Sequence, residues 1–298
     1  GSAPQWEPLE VQYADYALWQ REVLGSEDDP SSLMAQQLDY WRRTLAELPD
    51  ELELPRDRPR PAVASNRGAS HRLDVGPDLR RRIAELARRQ GSTEFMLVHA
   101  ALAVLLGRLS GTEDIVVGSP VAGRGDAALD DAIGMFVNTL VLRTPIDTSR
   151  SFDEVLGGVR DVDLEAFAHA DVPFERLVEV LDPARSQARH PLFQVMLTFQ
   201  NSAAAELELP GLSVSGVDFD AQIAKFDLQL TLSEGYVQDG SPVGWSAELT
   251  YATELFDAVT VEGFADRFVR ILEAVVADPS RRVGDIDLLG ADERVRVL

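Results

Sequence analysis

From Met96 to Leu106 the chain is apolar on nearly every side, with His99 the one interruption. The spacing predicts a helix over 93–109, capped by Ser92, and a helix with no wet face must be enclosed by other elements. The rest of the sequence supplies the enclosure. Phe193, Val195, Leu197 and Phe199 recur at period two, as do Phe226, Leu228, Leu230 and Leu232, and then Val243, Trp245, Ala247, Leu249 and Tyr251. Strict alternation in the last two runs predicts antiparallel strands with one wet face. Ile115-Val116-Val117 is a short unbroken apolar run, the pattern of a strand inside a parallel or mixed sheet. The class is α/β, with helices packed on a mixed, largely antiparallel sheet.

Other elements read from local signals. Residues 8–25 and 33–47 are expected to be helical, and 51–68, with prolines at 55, 59 and 61, is expected to be a surface linker. A strand over 72–75 leads through Gly76-Pro77 into a helix with Leu79, Ile83 and Leu86 on one face, ended by Gly91. Thr139–Ile146 is a further strand and Ser151–His169 a helix. Asp257 is placed to cap a last helix bearing Phe264, Phe268, Ile271, Leu272 and Val275.

Composition narrows the function classes. The 298 residues carry a net charge of −22, which disfavours nucleic acid and anionic membrane surfaces as partners. No apolar run is long enough to span a bilayer, and the absence of cysteine excludes disulfides and thiolate metal sites. These features point to the cytoplasm. No histidine-rich metal motif is present, so no metal is expected. Gly1-Ser2 reads as an expression scar, within a leading segment 1–7.

None of the histidines at 71, 99, 169 and 190 lies near another titratable group at a spacing that suggests a dyad, so none is expected to be catalytic. Asn138 enters a strand from a glycine-containing loop. It is either a turn residue bonding its own backbone or a donor–acceptor beside a reacting amide. Asp171 and Pro173 suit the cap and first turn of a helix. Gln194 and Thr198 share a strand face that can line a channel, with Gln200 beyond them. Arg108, after the apolar helix, reads locally as a solvated charge at a helix C-terminus.

Four patches carry a resemblance. They are Tyr13-Ala14-Asp15-Tyr16-Ala17-Leu18-Trp19, Ile133-Gly134-Met135-Phe136-Val137-Asn138-Thr139, His169-Ala170-Asp171-Val172-Pro173-Phe174-Glu175 and Arg189-His190-Pro191-Leu192-Phe193-Gln194-Val195. In order and spacing they resemble condensation domains of nonribosomal peptide synthetases. That family's signature, His-His-x-x-x-Asp-Gly, precedes the first patch, and the chain begins too late to contain it. The resemblance therefore implies a chloramphenicol-acetyltransferase-like C-terminal lobe over 8–288, with 289–298 leading toward an adenylation domain.

It further implies peptide-bond formation between substrates carried on phosphopantetheine, with no cofactor bound directly. The partners implied are the N-terminal lobe, donor and acceptor carrier proteins and the adenylation domain. The lobe alone is expected to be inactive. Arg108 is expected to pair with the signature aspartate, and Arg108 and Asn138 to border one cleft near Gln194, Thr198 or Gln200. An epimerising relative and a non-catalytic binding module remain the alternatives.

Overall fold

Alternation in the sequence becomes a six-stranded mixed sheet in the computed structural model, which describes residues 8–200, 222–236 and 242–290. The strands are β1 (Gly68–Val75), β2 (Asp114–Val121), β3 (Asn138–Pro145), β4 (Val195–Gln200), β5 (Leu228–Tyr236) and β6 (Pro242–Ala252). Their order is β1-β6-β5-β4-β2-β3. β5 and β6 pair antiparallel, as their period-two pattern predicts, and β1–β6 and β2–β3 are antiparallel as well. β4 lies parallel to both β5 and β2, which makes the sheet mixed.

The two halves of the sheet meet at a narrow seam, where β2 and β4 share the single register pair Gly118↔Met196. Gly118 is required there. A Cβ at that position would lie 2.2 Å from the Phe193 ring, so only a bare backbone lets the ring approach the strand this closely.

One face of the sheet is covered by α3 (Pro77–Arg89), α4 (Glu94–Ser110) and α7 (Ala258–Ala277). α4 is enclosed, with Met96 through Gly107 buried, so the sequence expectation holds. Its cap is Thr93 rather than Ser92: Thr93 Oγ1 accepts the Met96 N–H at 3.2 Å. Ser92 instead bonds the Gln90 carbonyl. Each fully buried Leu or Phe in this layer contributes about 1.5–3 kcal/mol.

Among the described residues, the helices on the opposite face lie toward β2, β3 and β4. There α2 (Leu33–Thr44) and α6 (Phe174–Leu181) join Leu38, Trp41 and Leu177 to Val116 and Met196. α5 (Phe152–Ala168) packs beside β3 and α4.

Three expectations are corrected in detail. The first helix, α1, runs Tyr13–Leu24 rather than from 8, because Gln12 is extended and the Asp15 carboxylate accepts its N–H. The 51–68 segment is pinned rather than merely draped: Leu54 is buried, and Arg60 bonds Glu51 and the buried Asp227. The cap of α7 also comes from this segment. Asp57, not the Asp257 side chain, accepts the Asp257 N–H at 2.7 Å and the Thr260 hydroxyl at 2.9 Å.

Candidate functional site

Three of the four sequence patches, far apart along the chain, come together around one cleft of about 930 Å³. α1 contributes Tyr13, Tyr16 and Trp19, the β2–β3 connection contributes Met135 and Phe136, and the α5–α6 junction contributes Asp171 and Glu175. Phe136 is the pivot. Its ring meets Tyr13 edge-on at 5.3 Å and Tyr16 at 4.9 Å, and Leu129 and Ala132 complete a small apolar cluster beneath the cleft. Tyr13 also donates its hydroxyl proton to the Met135 carbonyl at 3.0 Å. Burial, with smaller contributions from Tyr13 and Asp171, pushes the Tyr16 hydroxyl above its ordinary pKa, so it remains a proton donor at neutral pH. The lining is aromatic and acidic, and Trp19 is 58% exposed at its rim.

Asn138 lines the cleft and ties its back wall together. Its Nδ2 donates to the carbonyls of Ala170 and Val172, both at 2.8 Å. Its Oδ1 accepts the N–H of Thr139 at 2.8 Å and of Phe174 at 3.0 Å. Asn138 thus caps α6 from another element. It bonds its own backbone neighbour, as the turn reading expects, and it also binds β3 to the α5–α6 junction. Asp171 does not act as that cap. Its carboxylate accepts from Gln37 Nε2 at 2.6 Å, and its N–H donates to Gln37 Oε1 at 3.1 Å.

The remaining sequence candidates lie elsewhere. Gln194 is buried one residue before β4, where its Oε1 accepts the Leu52 N–H at 2.9 Å and its Nε2 donates to the His190 carbonyl at 3.3 Å. That side chain holds two segments together and does not line this cleft. Thr198 and Gln200 lie on β4 at increasing exposure, and neither borders the cleft.

Arg108 is separated from Asn138 by the length of the β2–β3 hairpin. Asn138 sits at the Val121 end, whereas Arg108 lies in the last turn of α4, where the preceding Gly107 meets Ile146 beyond the Asp114–Pro145 end. Seven residue steps along a strand are about 23 Å. The guanidinium of Arg108 donates instead to the carbonyls of Val283 and Ile286, at 2.8 and 3.2 Å. The expectation that Arg108 and Asn138 border one cleft is not met.

The fourth patch packs behind α6. His190 lies among Phe174, Phe193 and Phe226, and its burial holds the imidazole below its ordinary pKa. One pairing escaped the sequence entirely. His99 Nδ1 lies 2.9 Å from Asp163 Oδ1, both side chains are fully buried, and Thr144 Oγ1 is 3.4 Å from His99 Nε2. A dyad does exist, therefore, but inside the core and away from the cleft. Its members are 64 residues apart, so no local spacing announces it. The only sequence signal is a lone histidine in an otherwise apolar helix facing a lone aspartate on a buried helix face.

Among the described residues, no group of three or more His, Cys, Asp or Glu is arranged to hold a metal ion, and no single helix is long and apolar enough to cross a membrane.

Comparison with known proteins bears on the family and the fold. The chain is 51% identical over 293 residues to a dimodular nonribosomal peptide synthase of Bacillus subtilis (strain 168), covering 98% of this chain and 12% of that protein. It is 45% identical over 297 residues to an isonitrile lipopeptide synthase of Mycobacterium tuberculosis, again covering 12% of the relative. The chain thus spans a small part of the proteins it matches. The crystal structure of the X-domain from teicoplanin biosynthesis superposes with a TM-score of 0.89 at 37% identity, over 96% of this chain and 64% of the other. The family model described as the condensation domain matches residues 2–298, and the chain belongs to the condensation domain family.

Proposed function

We propose that this chain supplies the acceptor-side lobe of a domain that forms peptide bonds between carrier-tethered substrates. The observation that carries the reading is the convergence of α1, the 133–139 patch and the α5–α6 junction on one aromatic, acidic cleft. Tyrosine and tryptophan faces beside Asp15, Asp171 and Glu175 favour a cationic or amine-bearing group over an anion. That lining suits the amino group of an aminoacyl thioester. The amine attacks the thioester carbonyl of an acyl or peptidyl donor; a C–N bond forms, the C–S bond breaks, and the amine proton leaves with the released thiol.

Because the step is downhill, holding two tethered substrates in register supplies much of the rate. Donor and acceptor arrive on the phosphopantetheine arms of separate carrier proteins, and the domain itself holds no cofactor. Asn138 shapes the cleft without touching the reacting atoms. The N-terminal lobe with its His-His-x-x-x-Asp-Gly signature and an adjoining adenylation domain complete the assembly, which works in the cytoplasm.

A second reading has one observation behind it. The teicoplanin X-domain, similar to this chain at a TM-score of 0.89, has been solved in complex with OxyB. A fold of this kind can therefore serve as a docking module for another protein.

The two readings separate in one assay. The chain is mixed with loaded donor and acceptor carriers, with and without a signature-bearing lobe, and dipeptidyl product is followed by mass spectrometry. Product only in the presence of the signature-bearing lobe is expected. Turnover by the chain alone, at the rate of an intact domain, overturns the acceptor-lobe reading. No product under any combination leaves the docking module as the better account.

A further inference from the structure

We propose that Arg124 is a positioning residue that holds the outer wall of the cleft in shape. That wall is the β2–β3 connection, which runs from Val121 to Asn138 with only a short 3-10 turn at Ala127–Leu129. A connection this long and this irregular needs its own internal fastening to keep one form.

Arg124 provides it. One guanidinium nitrogen of Arg124 is bracketed by three carbonyls of the same loop: Leu129, Asp130 at 3.3 Å and Ala132 at 2.9 Å. The flat group lies over the Phe136 ring, 4.2 Å from its centroid. Phe136 in turn meets Tyr13 and Tyr16 of α1, so a continuous chain of contacts runs from the arginine to the far wall. Two glycines permit the fit. A Cβ on Gly123 would lie 1.8 Å from the Phe136 carbonyl oxygen, and one on Gly134 would lie 2.1 Å from the Tyr13 ring.

The cluster beneath this wall contains only Leu129, Ala132 and Phe136, with Val11 and Tyr16 packed against it, and is separate from both main cores. The wall can therefore lose its form while the lobe stays folded. The loop also presents Ile133 at 93% exposure and Met135 at 77%, so its conformation decides where these apolar side chains point. Loss of the arginine would let the wall move and widen the cleft before any element of the sheet felt it.

The part of this inference that concerns substrate rests on the acceptor-lobe reading, and the test keeps the two apart. Arg124→Met and Arg124→Lys are compared with the parent chain by hydrogen exchange. In Arg124→Met, amides of 124–137 should exchange at least about tenfold faster while those of 96–106 are unchanged. Lysine keeps a charge for the carbonyls but loses the flat group on Phe136, so Arg124→Lys should fall between. Unchanged exchange in 124–137, or an equal rise in α4, overturns the fastening. In the assembled assay with the signature-bearing lobe, Arg124→Met should raise KM for the acceptor by about tenfold, with a smaller loss in kcat. A faster-exchanging wall with an unaltered KM overturns the positioning role. An assembly in which even the parent chain makes no product overturns the acceptor-lobe reading instead, and the exchange result still decides whether Arg124 fastens the wall.

Discussion

The layer around α4 and the wall of the cleft are built on opposite plans. Around α4, dozens of buried side chains from nine helices and strands share one cluster, and His99 is paired with Asp163 deep below the surface. The wall between Val121 and Asn138 rests on three buried side chains and one arginine. The first region is over-determined, so that many contacts would have to fail together. In the second, a few named contacts set the form. Stability should therefore be lost mainly through changes in the first region, and substrate handling mainly through changes in the second.

The largest effect should come from the deep layer. Phe268→Ala removes a fully buried ring from α7 and should cost about 3–5 kcal/mol, read by denaturant unfolding. If the loss were below about 1 kcal/mol, the cluster would be far more forgiving than its burial implies. Next is the dyad. Asp163→Leu leaves His99 without its partner in a dry site and should cost about 3 kcal/mol. A double change, His99→Leu with Asp163→Leu, should recover part of that, and a cycle of unfolding measurements would show the coupling.

Asn138→Ala strips four hydrogen bonds from the boundary between the two regions. It should cost about 2 kcal/mol and also loosen the N-terminus of α6, seen as faster exchange at Phe174. Normal exchange there would mean that another group caps the helix.

A smaller effect carries a sign. Burial lowers the His190 pKa, so the folded state binds fewer protons than the unfolded state just below the unfolded value of about 6.5. The stabilisation from neutral His190 is fully present above that value. It is lost as pH falls toward the lower folded value. His190→Phe should flatten the stability–pH curve in that window relative to the parent; identical curves would mean that His190 titrates as it does in the unfolded chain. Smallest in stability is Trp19→Ala, at the exposed rim. It should change unfolding by no more than about 0.5 kcal/mol yet weaken acceptor use in the reconstituted assay.

What was legible in the sequence follows the same division. α4, β5 and β6 could be read because burial writes a local period into the chain, and period survives without knowledge of neighbours. The four patches were legible as a resemblance, and three of them share the cleft. Long-range pairings were not legible. Nothing near His99 points to Asp163, and nothing near Asn138 says that it will cap a helix starting 36 residues later. Arg108 was misplaced for a related reason. Its partners are carbonyls of the tail, and backbone carbonyls leave no mark on sequence because every residue has one. Arg108→Met should accordingly loosen 283–286, measured by exchange, and leave the cleft unaltered.

The seam at Gly118 and Met196 gives the lobe a preferred line of weakness. Elsewhere the strands are stitched over many residues, but here β2 and β4 share one register pair, overlaid by the Phe193 ring. Under a pulling force applied across the sheet, the two halves would part along that line first. They would separate as a three-stranded β1-β6-β5 unit carrying β4 and a β2–β3 hairpin carrying the back wall of the cleft. Mechanical load would thus be taken up along the middle of the fold, with the cleft-bearing hairpin intact on one side.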